Sequence, residues 1–501
     1  MTALLARVVP GNPLSAPGPS PLTLVRSLAR IRRDPIGFLE DQVALHGDLV
    51  SLPIPGQPVL VVNDPAGARR VLQDNPGGYT KATIQYGSLS TVTGIGLLTA
   101  DGDQWKARRR VVQPAFHHGK LETVADAAAA AGARLRARWD AAPGQVLDAD
   151  EALLHSMLEL VGHTLFGVEL AGPVGNRPSE GAGDRSVPAP TPDGERMVAA
   201  ADVALRMVMA RSQSGRPAWA DPIRSARLRV AIATLDEVCA QIVAARRRRD
   251  AAGTGGSDDV LGLLLAAQDS GAMSATEVRD EMVTTVIAGH ETVASALTWT
   301  LHLLSTHPEV AERLAVELDD VLGAGDVRPG DAPPGAGHRL PTWDDLHRLT
   351  YTRAVFDEAL RLYPPAWVIT RRASAPDVIC GVGIPAGTLV VISPWLLQRR
   401  EATWPEPTRF DPERFLLPVP GGAARAARPR GDYLPFGLGP RLCIGRDLAL
   451  VEGPLLLACL LPGRRVVPVR TEAPVVDALI TLRPRGGLAL RLTDEHDTSG
   501  F

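Results

Sequence analysis

The 501 residues include few aromatic side chains, few cysteines and no long uninterrupted apolar run. With aromatics at 4%, platforms on which nucleic-acid bases could stack are scarce. A formal net charge of −3 supplies no basic field that would attract a nucleic acid. We therefore expect a core of mainly aliphatic side chains and no nucleic-acid partner.

The 4 cysteines form no C-x-x-C pair, and so small a number in so long a chain is no disulfide framework. A reducing, cytoplasmic compartment is the simpler expectation. Prolines interrupt residues 1–20, which predict neither a signal peptide nor a membrane anchor. The apolar stretch 451–462 is too short to span a bilayer and predicts a buried helix. We expect a monomer without a membrane span.

Helical periodicity dominates the chain. It covers residues 121–168 and 195–249. Ser274 and Glu277 have the spacing of a capping box, which predicts a helix running to about Thr306. The four consecutive arginines at 246–249 predict a solvated helix end.

Strand signals are short and few, so the sequence predicts a mainly α fold with a small β lobe. Strands are expected at residues 49–52, 59–62, 389–392 and 488–492. Residues 79–96 are rich in Thr, Ser and Gly and predict a long irregular loop. Two stretches rich in Gly and Pro, 172–194 and 323–337, predict surface inserts.

Residues 436–445 read F-G-L-G-P-R-L-C-I-G, and an apolar helix is predicted directly after them. A cysteine at a helix N-terminus beside Arg441 would have its thiolate stabilised by amide dipoles and positive charge. One such thiolate suits haem iron, because it leaves the opposite face of the iron open for O₂. An isolated cysteine in a Gly-rich turn would instead be read as buried and inert.

The full stretch resembles the haem-binding loop of cytochrome P450 enzymes, F-x-x-G-x-R-x-C-x-G, at every fixed position. The resemblance implies the cytochrome P450 fold, a triangular prism of helices with a small β lobe that encloses haem b (iron protoporphyrin IX). It makes Cys443 the iron ligand and Arg441 a partner of a haem propionate. Phe436 would pack near the sulfur, and Gly445 would admit close backbone approach.

The middle of the long predicted helix carries Ala288-Gly289-His290-Glu291-Thr292, which resembles the family's [AG]-G-x-[DE]-T signature. The resemblance implies that Thr292 and Glu291 deliver protons during oxygen activation, with Ala288 beside the haem. Read alone, the segment is an ordinary helix with a solvated glutamate. We assign His290 no role.

Glu358 and Arg361 lie at i,i+3 and would by themselves predict a surface ion pair of little worth. They resemble the family's E-x-x-R, which meets the arginine of a later P-E-R-F segment, here Arg414. The resemblance implies a structural role for all three. Residues 398–401, Q-R-R-E, depart from the H-R-D-P that is common there, which puts that loop's hydrogen bonding in question.

Trp105 and Arg109 match a W-x-x-x-R motif, which in the family lies on a helix covering one haem face. By the resemblance both would bind propionates, as would Arg371. Two or three converging arginines make electrostatic sense for a dianionic cofactor.

The resemblance spans residues 21–492, which we expect to form one domain between a Pro-rich segment at 1–20 and a tail at 493–501. It implies a monooxygenase that uses O₂, two electrons and two protons to hydroxylate or epoxidise an apolar substrate such as a terpene, a fatty acid or a polyketide. The alternatives are an H₂O₂-driven peroxygenase, against which the Glu291–Thr292 pair argues, and a non-catalytic haem-thiolate sensor.

The 58 residues after Cys443 are too few for a flavin reductase domain, so a ferredoxin and ferredoxin reductase are the expected electron donors. Lys106, Arg108 and Arg110 would guide the ferredoxin.

Family analogy also gives an apolar substrate lining. Trp367 within it could equally be plain core. The lining residues are Ile84, Tyr86, Val92, Thr284, Thr285, Ala288, Trp367, Val368 and Ile480.

Overall fold

The computed structural model describes residues 14–141, 144–168, 170, 194–214, 221–253, 258–323, 338–416 and 431–494. Their α-helices, in chain order, are α1 Pro21–Arg26, α2 Leu28–Arg33, α3 Pro35–His46, α4 Pro65–Arg69, α5 Ile84–Thr93, α6 Gly102–Val112, α7 Leu121–Asp140, α8 Ala149–Phe166, α9 Gly194–Ser214, α10 Pro222–Ala251, α11 Val260–Asp269, α12 Ala275–Thr306, α13 Pro308–Leu322, α14 Thr350–Leu362, α15 Pro394–Leu397 and α16 Arg446–Leu460.

The strands of the described residues are short and form four small sheets. They are β1 Leu49–Ile54, β2 Gln57–Val62, β3 Tyr79–Thr80, β4 Leu147–Asp148, β5 Ile369–Ala373, β6 Asp377–Ile379, β7 Val382–Ile384, β8 Leu389–Ile392, β9 Arg464–Pro468, β10 Val476–Ala478, β11 Leu482–Pro484 and β12 Ala489–Asp494. The largest sheet has the order β1-β2-β8-β5-β3, and the others are β4-β12-β9, β10-β11 and β6-β7. The predicted mainly α fold with a small β component is confirmed.

The register of the five-stranded sheet brings distant segments together. β1 and β2 form an antiparallel hairpin in which Leu49 faces Val62. β8 then adds parallel to β2, and β5 adds antiparallel to β8. Because β5 follows the turn after α14, this register places the start of β5 near the end of α14. From there β5 points into the interior.

Helix α12 is the central element, and its predicted capping box is present. Ser274 Oγ accepts from the Glu277 amide, and the Glu277 carboxylate accepts from the Ser274 amide at 2.8 Å. At 32 residues the helix is about 48 Å long. It packs along α8, and α7 packs along α16. Gly453 on α16 is required where it stands, because a Cβ there would lie 2.4 Å from the Phe356 ring on α14.

The prediction of an irregular loop at 79–96 is wrong, because this stretch forms β3 and the ten-residue helix α5. Thr83 caps the helix N-terminus by accepting from the Tyr86 amide at 3.4 Å. Gly94 ends it in a positive-φ conformation, at +67°. The Thr and Gly residues that suggested a loop are the two caps of a helix.

The four arginines at 246–249 are not simply a solvated helix end. Arg246 is 1% exposed and bonds to Asp259 at 2.7 Å and to the Phe166 carbonyl at 3.0 Å. α10 turns this one member of the run inward, where a carboxylate compensates its charge. The predicted inserts lie largely outside the described residues, as does the tail beyond Asp494.

Candidate active site

A cavity of about 550 Å³ lies between the middle of α12 and the cysteine loop. Its other walls include residues of α5, α6, α9, the turn between α14 and β5, and the turn between β10 and β11. Apolar side chains form most of the lining, including Leu89, Leu97, Leu205, Val208 and Val293. Cys443 and Ala288 both line this cavity, from elements on different walls.

Glycine conformations shape the loop that presents Cys443. Gly437 and Gly439 have φ values of +74° and +72°, which are strained for any residue with a side chain. A Cβ on Gly439 would also lie 2.1 Å from the Leu72 carbonyl oxygen. The Cys443 amide donates to the Phe436 carbonyl at 3.0 Å, which closes the loop just before α16 begins. The sulfur therefore faces the cavity from a rigid turn.

The electrostatic surroundings of Cys443 differ from the expectation. The Cys443 side chain is exposed to the open cavity, and desolvation by the protein around it raises the pKa of the thiol, against the opposing effects of the Gly445 amide and of Arg109 and Arg446. Arg441, expected to stabilise the thiolate, instead bonds to the Ala100 carbonyl at 2.8 Å and pairs with Asp101. Arg441 ends the 3₁₀ turn Gly439–Arg441, and its side chain points to Ala100 and Asp101 rather than to the sulfur.

Four cationic side chains converge on the edge of the cavity next to α6. Arg109 donates to the Leu442 carbonyl at 3.0 Å, and Arg371 donates to the Tyr86 hydroxyl at 3.2 Å. The Arg441 guanidinium lies 4.1 Å from the centre of the Trp105 ring. Burial, together with repulsion from Arg371 and against the opposing effect of Asp101, lowers the pKa of Arg441 to about 10.

The fourth cation is Lys81, which the sequence reasoning missed. Its ammonium donates to the Leu98 carbonyl at 2.6 Å. Burial, followed by repulsion from Arg371 and Arg441, holds its pKa well below the usual value. A signal was present, because Lys81 is the one charged residue between Asp74 and Asp101 in the sequence. So much positive charge in one buried place calls for an anion.

On the opposite wall, α12 brings the predicted acid and alcohol to the cavity. Thr292 Oγ1 donates to the Ala288 carbonyl at 2.7 Å. Glu291 lines the cavity, so it is not the solvated glutamate of the alternative reading. Its Oε1 accepts from Thr481 Oγ1 at 2.8 Å. Burial raises the pKa of Glu291, while Thr481 and Arg483 act in the opposite direction.

His290, left without a role, is buried and bonds through Nδ1 to the Val286 carbonyl at 2.7 Å. Gly289 lies where α12 crosses α8, and a Cβ there would be 2.9 Å from the Val161 side chain. The close approach of these two helices accounts for the glycine.

Glu358, Arg361 and Arg414 form a buried cluster beneath the cysteine loop. Glu358 and Arg361 are both 0% exposed, so the surface ion-pair reading is wrong. Arg361 donates to both Glu358 oxygens, at 2.6 and 2.7 Å, and Arg414 Nε lies 3.3 Å from Glu358 Oε1. The segment 398–401, which departs from the family's H-R-D-P, is still hydrogen-bonded in place. The Gln398 side chain donates to the Leu360 and Arg361 carbonyls and accepts from the Leu434 amide.

The expected substrate lining is only partly placed on the cavity. Seven of the nine residues line it, namely Tyr86, Thr284, Thr285, Ala288, Trp367, Val368 and Ile480. Ile84 is 65% exposed, and Val92 is packed in the core. Both errors follow from reading α5 as a loop, since a helix turns Gln85, Tyr86 and Leu89 to the cavity and Ile84 away from it.

Trp367 occupies both of the positions considered for it, since it lies in the core and at the cavity wall. The residue is buried, packs with Trp395 and Leu482, and also borders the cavity. Its indole N–H donates to the Leu479 carbonyl at 2.9 Å.

These residues fit haem. The cavity has a cysteine sulfur on one wall, an apolar interior, and an edge where four cations lie together. Within the described part of the chain, Asp101 is the one carboxylate paired with any of the four. A flat apolar macrocycle with two carboxylates meets each of these features.

The comparisons with known proteins agree with that fit. The sequence profile described as "Cytochrome P450" matches residues 16–486. The chain belongs to the cytochrome P450 family. Pentalenene oxygenase of Streptomyces avermitilis is 33% identical over 488 residues, which cover 96% of this chain and 97% of that protein. Cyclooctatin synthase of Streptomyces melanosporofaciens is 32% identical, covering 90% of each chain.

A crystal structure of the cytochrome P450 CYP175A1 from Thermus thermophilus superposes with a TM-score of 0.71 at 30% identity, covering 95% of this chain and 100% of the other. The protein is thus a haem-thiolate monooxygenase with the cytochrome P450 fold. It uses O₂, a lipophilic substrate and a redox partner. Among the described helices, none is long and apolar enough to cross a bilayer.

Proposed function

We propose that this P450 hydroxylates an apolar terpene. The observation that carries the proposal is the distribution of charge in the cavity. The four cations, Lys81, Arg109, Arg371 and Arg441, share the edge beside α6, and the lining residues away from it are mostly apolar. Such a wall suits a hydrocarbon skeleton and offers a fatty-acid carboxylate no anchor. The names of the Streptomyces relatives, which include cyclooctat-9-en-7-ol 5-monooxygenase, support the same class.

Thr284 provides the polar exception in that wall. It is 4% exposed, and its hydroxyl has no hydrogen-bond partner within the described part of the chain. A buried hydroxyl of this kind costs free energy unless a ligand or water satisfies it. We propose that it contacts a polar group on the substrate or product.

Haem bound here, with the Cys443 thiolate as iron ligand, would supply the binding and activation of O₂. The Cys443 loop holds the sulfur at the cavity wall, and the four cations at the edge would bind the two propionates. Thr292 and Glu291, at the opposite wall, would hold and transfer protons. Burial raises the pKa of Glu291, which is the direction that favours a carboxyl able to hold a proton.

For electrons, we propose a ferredoxin and its reductase, with docking beside α6. Lys106 and Arg110 are exposed there and can contribute long-range attraction. Arg108 does not belong to this surface, because it is buried and paired with Glu281 and Glu277. A cytoplasmic location, a monomeric state and a single domain at 21–492 stay predictions.

The ligand of the iron is tested by the carbon monoxide spectrum of the reduced protein. The wild type should show the red-shifted Soret band of a thiolate ligand. Cys443→His should lose that band, whereas Cys239→Ala, which changes a buried cysteine elsewhere, should keep it. A histidine-type band in folded wild-type protein would contradict the assignment.

The substrate class is tested by products. Purified protein with ferredoxin, reductase and NADPH is offered terpenes, fatty acids and macrolides, and oxygen consumption is measured beside product formation. We expect coupled hydroxylation of terpenes. Turnover with H₂O₂ alone at a comparable rate would favour the peroxygenase, and haem binding without oxygen consumption would favour the sensor.

A further inference from the structure

The turn between β10 and β11 closes over the acid of α12. Thr481, in this turn, is 3% exposed and lines the cavity. Its hydroxyl donates to Glu291 Oε1 at 2.8 Å, across 190 residues of sequence. No sequence motif pairs these two residues, because the [AG]-G-x-[DE]-T signature covers residues 288–292 and does not include Thr481.

Hydrogen bonds from two other elements hold this turn in place. The Leu482 carbonyl accepts from Ser295 Oγ at 2.5 Å and from Trp299 Nε1 at 3.1 Å, both on α12. The Leu482 amide donates to the Pro365 carbonyl at 3.1 Å. Together with the bond from Trp367 to Leu479, these contacts restrain both sides of Thr481. The hydroxyl is therefore delivered to Glu291 by a braced turn rather than by a loose loop.

The charges around Glu291 come from three further elements. Arg483 on β11 follows Thr481 and pairs with Asp150 on α8 at 2.6 Å. Asp202 on α9 lies 3.9 Å from Arg483 and also pairs with Arg206. His290, the neighbour of Glu291 on α12, is buried and keeps its pKa low, at about 4, so it is neutral near pH 7.

Arg483 favours ionisation of Glu291, whereas Asp202 and Asp150 oppose it. With these charges partly cancelling, a direct hydrogen bond to the carboxylate matters for its orientation and its ionisation.

We propose that Thr481 is a positioning residue for Glu291, holding its carboxyl at the cavity wall through the hydroxyl hydrogen bond. A donor to a carboxylate also favours its ionised form. The proposal rests on the proposed role of Glu291 in proton transfer. Thr481 acts through the carboxylate and takes up no proton itself. A hydroxyl at this position thereby tunes how efficiently electrons are converted into product.

The experiment compares Thr481→Val with Thr481→Ser in the haem-loaded protein. Valine keeps the shape and removes the donor, whereas serine restores the donor. Thr300→Val is the matched control. Thr300 is a buried threonine on α12, about two turns beyond Thr292, and its hydroxyl donates to the Ala296 carbonyl. Two quantities are measured for each variant: the infrared pH titration of the Glu291 carboxyl, assigned by its disappearance in Glu291→Gln, and product formed per electron.

We expect Thr481→Val to move the carboxyl titration to higher pH, because the lost bond favoured the ionised form. Product per electron should fall by about two- to tenfold, the range that a single hydrogen bond supports. Thr481→Ser should restore both quantities, and Thr300→Val should leave both unchanged.

An unchanged titration in Thr481→Val would overturn the proposal, and so would an equal shift in Thr300→Val. If the Thr481→Val protein does not fold, Thr481→Ser still tests the proposal. Folded Thr481→Ser protein whose carboxyl titration differs from that of the wild type would also overturn the proposal. Failure of the proposed function is distinguishable. In that case Glu291→Gln itself leaves product per electron unchanged, whatever the infrared titration of Thr481→Val shows.

Discussion

Two inward-facing carboxylates, Glu358 on α14 and Glu291 on α12, have opposite surroundings. Glu358 contacts the guanidinium groups of Arg361 and Arg414 and accepts from the Asp411 amide at 3.0 Å. Glu291 accepts from a neutral hydroxyl, and the nearby Arg483 is already paired with Asp150. One carboxylate is surrounded by compensating charge, and the other lies at the wall of a cavity.

The difference lies in how each carboxylate is compensated. A buried carboxylate between two cations joins the chain segments that carry them. A buried carboxylate with weaker compensation has its pKa raised, as burial does to Glu291. The Glu358 region also connects more of the chain. Arg361 donates to the carbonyls of Gln398, Pro407 and Arg409, and these bonds join α14 to the segment before the cysteine loop.

The largest effect should come from breaking the compensated cluster. Glu358→Gln leaves Arg361 buried without its carboxylate, and we expect a loss of about 3–5 kcal/mol in the free energy of unfolding, with poor haem retention. Denaturant unfolding and the ratio of haem to protein measure this. Glu406→Gln is the control, since Glu406 pairs with Arg409 at the same i,i+3 spacing but both side chains are well exposed. Equal losses in the two variants would mean that burial is not the cause.

Thr292→Ala, beside Glu291, should change chemistry and leave stability nearly unaltered. Because a positioned proton-transfer group is lost, product per electron should fall by about tenfold or more, and H₂O₂ should be released instead. Oxygen, peroxide and product are measured together. Thr300→Ala removes a hydroxyl that makes the same i to i−4 bond, to Ala296 at 2.7 Å, and should remain coupled. Normal coupling in Thr292→Ala would remove Thr292 from proton transfer.

Trp367→Phe tests whether the brace around Thr481 matters. Phenylalanine keeps an aromatic ring but loses the N–H that bonds to the Leu479 carbonyl, so we expect about 1 kcal/mol lower stability. Coupling and the site of hydroxylation should change as well, because the turn beside Glu291 loosens and the cavity wall shifts. If stability falls while the product pattern and coupling stay constant, the indole acts only in the core.

The smallest effect should come from outside both regions. Lys106→Glu with Arg110→Glu should slow the first electron from ferredoxin by up to about tenfold at low ionic strength, and less at high salt. Stopped-flow reduction under carbon monoxide measures the rate. Arg348→Glu serves as a surface control away from α6. A salt-independent rate in the double variant would place the ferredoxin elsewhere.

Features set by neighbouring residues were predictable. The capping box of α12 and the glycine-rich turn at Cys443 each depend on side chains within about ten residues. Such contacts follow from local backbone chemistry, which a short stretch of sequence contains. The same local logic failed at α5, where capping residues resembled loop residues because both uses draw on the same polar and glycine chemistry.

The sequence by itself determined which chemistry this protein performs, because the cysteine loop and the acid–alcohol pair are contiguous motifs. Only the tertiary structure decided which charges meet. It turned Arg441 toward Asp101, brought the positive charge of Arg109 to act on Cys443, buried Lys81 and placed the Thr481 hydroxyl on Glu291. Some of these partners, such as Thr481 and Glu291, lie far apart in the chain. Others, such as Arg441 and Cys443, are close in sequence but face different walls. Their contacts arise from how helices and sheets pack, and no local pattern encodes that arrangement.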